Sequence, residues 1–326
     1  MKQIRFCIIS LLVMGFCIGA SAQKDLKKNL KKHVYTLADD SLMGRPVGTK
    51  YMKIAEDYVI NELQNAGLKV VQIPIEYNHT NINTDTVITP RAIVVIVEGN
   101  DETLKNEWLI VKTDFQGYEC DTIDDMVENC NMANTATSGT AAIIELAKIF
   151  SKEHSCKRSI AFAITNEGII GTFDYDWEYE YMPHLLEALI DEDDIKIMFD
   201  ISRIGNSDST AQAYFNSKEI TNFDDIIRPF KKKDNGFIEY KGSSEYIISA
   251  IPTPIIELCE HNGGYSAVDW DKPEYLKYDT MTEIVKHIKN FIQTFANTEK
   301  INIDYNKLEP TEFIIIDDRD KRTLNE

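Results

Sequence analysis

The sequence predicts an α/β fold, a single three-layer α/β/α domain around a central mixed, mostly parallel sheet. Three observations carry that expectation. Short apolar, β-branched runs of strand length recur along the chain. Stretches with an apolar period near 3.6 stand between them, and such alternation is the pattern of an α/β domain. No internal repeat and no Pro/Gly/Ser linker divides the chain.

In chain order, "MKQIRF", "CIISLLVMGFCIG" and "ASA" read as the basic, apolar and cleavage regions of a signal peptide over residues 1–22. Phe16 before Cys17 argues against a lipoprotein. The expected domain runs over 23–300, with 301–326 as a C-terminal extension whose charged end is read as a frayed tail. "KDLKKNLKKHVYTLADDSL" is a basic amphipathic helix. In the next helix Ile54, Ala55, Tyr58, Val59, Leu63 and Ala66 share a stripe and Gly67 ends it. Strands are expected at 92–99, 108–113, 159–165, 195–202 and 253–258, and helices at about 137–153 and 280–296. Residues 206–242 are polar with weak signals and read as an irregular excursion or a short hairpin.

Of the 326 residues, 43% are hydrophobic and 27% charged, which is ordinary globular composition. The formal net charge of −18 excludes nucleic acid and anionic lipid surfaces as natural partners. No stretch outside the leader is apolar and long enough to span a membrane. The chain is therefore expected in the periplasm or secreted. Two of its six cysteines leave with the leader, and Cys120 and Cys130, flanking a short acidic loop, form the candidate disulfide.

Four stretches in order carry a family resemblance: "LADDSLMGRPVGT" (37–49), "WLIVKTDFQGY" (108–118), "TSGTAAIIELA" (137–147) and "GIIGT" (168–172). With "AIPTPIIELCEHNGGYSAVDWDKPEYLKYD" toward the end, they resemble the M28 family of metallopeptidases, the zinc aminopeptidases related to glutaminyl cyclases. The resemblance covers roughly residues 33–298. It implies one α/β domain with a site at the C-terminal ends of strands. In that family two zinc ions activate a water and polarise the scissile carbonyl, and a glutamate is the general base.

The resemblance also implies where the ligands should be, and most are replaced. The first histidine falls at Asp114 when the apolar run and the aromatic Phe115 are aligned; a register shifted by two puts it at Lys112. The bridging aspartate falls at Asn134, with Thr135 beside it. The Glu–Glu pair becomes Thr165, at the base position, and Asn166. Threonine is no base near neutral pH. Glu167 stands one residue late, where a strand neighbour faces the other way. The aspartate after the next strand is retained as Asp200. The last histidine falls at Ser266, beside Tyr265, with His261 five residues earlier.

No catalytic residue is therefore expected, and no zinc cofactor. Asp114 and Asp200 remain as weak metal candidates for a hard cation, or else as carboxylates neutralised by Lys112 and Arg203. Asn134, Asn166 and Ser266 are former metal-site positions in the cleft, with Glu167, His261 and Tyr265 as further cleft candidates. The reading is a pseudoenzyme: an exported, peptidase-like protein whose former cleft binds a peptide, a cell-wall fragment or a protein. Its alternatives are an active hydrolase rebuilt from Asp114, Glu167, Asp200, Glu260 or His261, and a scaffold with a collapsed cleft. The sequon at Asn78 and the basic run "RPFKKKD" read as incidental. The aromatic and acidic stretch 173–184 is a candidate binding rim or a packed loop.

Overall fold

The computed structural model describes residues 25–75, 88–115, 122–123, 126–127, 131–166, 189–206, 211–215, 219–230, 238–241, 253–260 and 271–305. The expected leader, the Cys120–Cys130 pair, Asn78, Glu167, the stretch 173–184, His261, Tyr265 and Ser266 lie outside these residues.

Helix α1 spans 25–37 and α2 Lys50–Asn65. Strands β1 (Val70–Pro74), β2 (Arg91–Val97) and β3 (Trp108–Asp114) follow. Two short strands, β4 (Thr122–Ile123) and β5 (Met126–Val127), pair only with each other. Helix α3 (Ser138–Glu153) leads to β6 (Ser159–Thr165), β7 (Ile195–Ile201) and β8 (Ala211–Phe215). Then come α4 (Phe223–Ile226), β9 (Ile238–Lys241), β10 (Ile255–Cys259) and α5 (Tyr278–Asn297). The large sheet has eight strands in the order β1-β2-β6-β3-β7-β10-β8-β9.

The α/β class and the mixed sheet are as the sequence predicts. Within the sheet β6–β3, β3–β7, β7–β10 and β8–β9 are parallel, and β1–β2, β2–β6 and β10–β8 antiparallel. Of the two readings of 206–242, an irregular excursion or a short hairpin, the hairpin is not what β8 and β9 form: they run parallel, so a longer connection than a tight turn joins them. Their short, weakly apolar sequences hid them, as they hid β1.

The sheet is a barrier between two apolar clusters, because alternate residues of a strand face opposite sides. On one face Leu109, Val111, Ile160, Phe162, Phe199 and Ile256 pack under α1, α2, α3 and α5. Helix α5 contributes Phe291 and Phe295, which meet Phe199 edge-on at centroid distances of 6.0 and 5.6 Å. On the other face Ile110, Ala161, Ala163 and Met198 form a smaller cluster with Ile190. All described α-helices contribute to the first face, short α4 through Phe223 and Ile226.

The connection from β3 through α3 to β6 moves to one side of β3, and β7 then takes the other side. The order of strands reverses there, and ligand crevices in open α/β sheets form outside the carboxyl ends of strands at such a point.

Candidate functional site

The polar residues of the sheet collect at those carboxyl ends. On β3, Lys112 and Asp114 share the face of Ile110, and Thr113 between them faces the helices. Pairing with β7 sets Lys112 opposite Asp200, and pairing with β6 sets Asp114 opposite Thr165. Pairing of β7 with β10 sets Glu257 opposite Asp200. Sheet register alone therefore aligns Thr165, Asp114, Lys112, Asp200 and Glu257 on one face.

Lys112 is the centre of this row. Its Nζ is 2.9 Å from Asp200 Oδ2 and 3.6 Å from Asp114 Oδ1. Its side chain is 13% exposed, against 23% for Asp200 and 44% for Asp114. Burial raises the pKa of the Asp200 carboxyl above the usual range, and the charges of Asp114 and Glu257 add to that while Lys112 opposes it. Thr165, buried, donates a long 3.4 Å bond to Asp114 Oδ1. Arg203, in a left-handed backbone conformation (φ 47°), reaches Glu257 Oε1 at 3.4 Å rather than either aspartate. The Cys259 thiol is pushed up by burial and by the neighbouring Glu257 charge. Glu260 accepts from the Asn206 N–H at 2.7 Å.

Two further positions that the resemblance implies as ligands lie among the described residues and are held by different contacts. Asn166 is buried and its amide donates to Glu56 Oε1 at 3.1 Å and to the Arg91 carbonyl at 3.3 Å. Glu56 is in turn bound by the Arg91 backbone N–H and Nε. Burial raises the Glu56 carboxyl, and the Arg91 bonds oppose that rise. Asn134 is the second residue of a π-helical turn, Ala133–Thr137, that runs into α3. Its backbone N–H donates to Asp271 Oδ1. Asp271 Oδ2 accepts from Thr135 N–H at 3.3 Å and from Thr135 Oγ1 at 2.6 Å.

Asp271 is the residue that sequence reasoning missed. It is buried and stands at the amino end of a helix whose own residues supply no side-chain cap. A carboxylate there satisfies orphan N–H groups and the helix dipole. The signal was absent locally because 137 positions separate it from Asn134.

The chemistry of this donor set does not fit a two-zinc centre. Thr165, Asn134 and Asn166 are neutral, and the two carboxylates share one ammonium. Among the described residues no group of three or more His, Cys, Asp or Glu is placed to hold a metal ion. Zinc sites need several such donors at short distance.

Sheet order and a polar row at the strand ends define, among the described residues, an α/β protein of the zinc-exopeptidase and glutaminyl-cyclase fold. Comparison with solved structures says the same. A Zn-dependent exopeptidase from Parabacteroides distasonis is 14% identical, with a TM-score of 0.59 over 82% of this chain and 97% of that one. Porphyromonas gingivalis glutaminyl cyclase is 11% identical, with a TM-score of 0.60 over 80% of this chain and 97% of that one. A leucine aminopeptidase precursor from Bacteroides thetaiotaomicron is 13% identical, with a TM-score of 0.58 over 84% and 97%. The M28-like fold implied by the sequence resemblance is thus the fold adopted. No family model matches the chain, and no curated protein matches it.

Proposed function

We propose that this chain is an exported, non-catalytic member of the peptidase-like group, which uses the crevice at its strand ends to bind a peptide, a cell-wall fragment or a partner protein. The observation that carries the reading is the Lys112–Asp200 pair. The one acid retained from the implied ligand set faces an ammonium at 2.9 Å. A cation bonded to a ligand carboxylate opposes a dication at the same place by like charge.

Loss of the base supports the same conclusion. Thr165 is neutral and buried, and a base must be near the proton it takes and have a matched pKa. The signal-peptide pattern supports export, and no described helix is long and apolar enough to cross a membrane.

The test is elemental analysis of the purified chain after zinc incubation and desalting, with aminopeptidase and glutaminyl-cyclisation assays on the same sample. The expected result is no stoichiometric zinc and no turnover. One or two tightly held zinc ions accompanied by turnover would overturn the proposal.

A further inference from the structure

We infer that Lys112 is a built-in counter-cation that takes over the charge-balancing role of a metal ion, and that it keeps the remaining Asp114–Asp200 carboxylates from taking up a divalent cation. The inference rests on the reading above and goes further, because it assigns the charge balance of the two remaining carboxylates to one side chain.

Three observations lead to it. Lys112 lies directly across from Asp200 in the β3/β7 register, and its ammonium also reaches toward Asp114. Lys112 shares the sheet face of Ile110 and Met198, and only 13% of its side chain remains exposed. The nearby Arg203 is directed to Glu257, so Lys112 is the one cation bonded to Asp200 among the described residues. Two carboxylates this close repel each other unless a positive charge stands between them. A lysine does this with a fixed single charge and three N–H donors. Having no lone pair while charged, it offers zinc no ligand, whereas neutral imidazole would.

The experiment uses the full mature chain and four proteins: wild type, Lys112→His, Lys112→Arg, and Lys112→His combined with Asp200→Asn. Zinc affinity is read by calorimetry, and the melting temperature is followed with and without zinc. Lys112→His is expected to bind zinc at least about tenfold more tightly than wild type, the lower end of what one supporting contact is worth in metal sites. Zinc should raise its melting temperature by linkage. Lys112→Arg should match wild type, and Asp200→Asn should abolish the gain.

A folded Lys112→His that binds no more zinc than wild type overturns this inference and leaves the non-catalytic reading standing. So does a gain that survives Asp200→Asn. Tight zinc binding by wild type overturns this inference, and with turnover it overturns the non-catalytic reading as well. Should Lys112→His not fold, Lys112→Gln gives the same decision. It is expected to melt below wild type and to recover in millimolar calcium, which two oxygen ligands hold weakly. No calcium response beyond that of wild type overturns the inference.

Discussion

At the scale of single residues, Asp271 does work that no neighbour in sequence can do. Its carboxylate binds two backbone N–H groups and one hydroxyl at the start of the turn leading into α3. Replacing it by alanine leaves those donors buried without an acceptor. Loss of a helix cap costs about 1–2 kcal/mol, and Asp271→Ala should lower stability by that amount in urea titrations. Asp271→Asn, which keeps one acceptor oxygen, should lose less. An alanine variant as stable as wild type would mean that the cap is idle. Asn134 and Thr135 were readable in the sequence as replacements at implied ligand positions, but their acidic partner was not.

At the scale of elements, the contact between α3 and the sheet explains the Ser-Gly-Thr triplet. Ser138 Oγ donates to the Asn134 carbonyl at 2.7 Å and accepts from Ile204 N–H at 3.0 Å. Gly139 lets the helix touch the strand ends. A Cβ there would lie 2.3 Å from the Ile201 carbonyl oxygen and 2.3 Å from Thr113 Oγ1. Thr113 Oγ1 already donates to that carbonyl at 2.7 Å. Gly139→Ala should therefore cost about 2–3 kcal/mol, as overpacking in a close-packed core does, despite alanine's better helix propensity. Equilibrium denaturation gives the value, and a stabilised variant would contradict the close approach. The long runs at β2, β3, β6 and β7 were legible because buried central strands are continuously apolar. Strands β1, β8 and β9 were not, because outer strands need fewer apolar residues and take their conformation from their partners.

At the scale of the whole molecule, α1 is joined to the body by buried charge. His33 bonds Tyr58 on α2 at 2.8 Å and Glu145 on α3 at 3.0 Å. Glu145 also accepts from Asn29 and Lys148. These bonds overcome its burial and hold the carboxyl down at about 2, against 4.5 for a free glutamate. The sign follows from linkage: a depressed folded pKa gives stability that is full above the unfolded value and lost as pH falls toward the folded one. Glu145 should thus contribute about 3 kcal/mol above pH 4.5, declining between there and pH 2, from 1.36 kcal/mol per unit. Glu145→Gln should lower stability at pH 7 and flatten the curve across that window. An unchanged acid limb in urea midpoints against pH would refute the role of this network. The Tyr58 hydroxyl, pushed up to about 12 by burial, stays a neutral partner throughout.

By itself the sequence determined the α/β class, the central strands and the long helices, and it carries the proposal that Asn134, Thr165 and Asn166 replace implied metal and base positions. These are local properties: periodicity, apolar runs and the identity of a side chain at a matched place. Only the tertiary structure decided which side chains meet at those positions. Lys112 meets Asp200 because β3 and β7 pair in one register, and Asp271 meets Asn134 because a distant loop returns to α3. Arg203, equally basic in the sequence, is directed to Glu257. Charges find partners by distance in space, and folding sets that distance through register and helix docking, neither of which is written in the spacing along the chain.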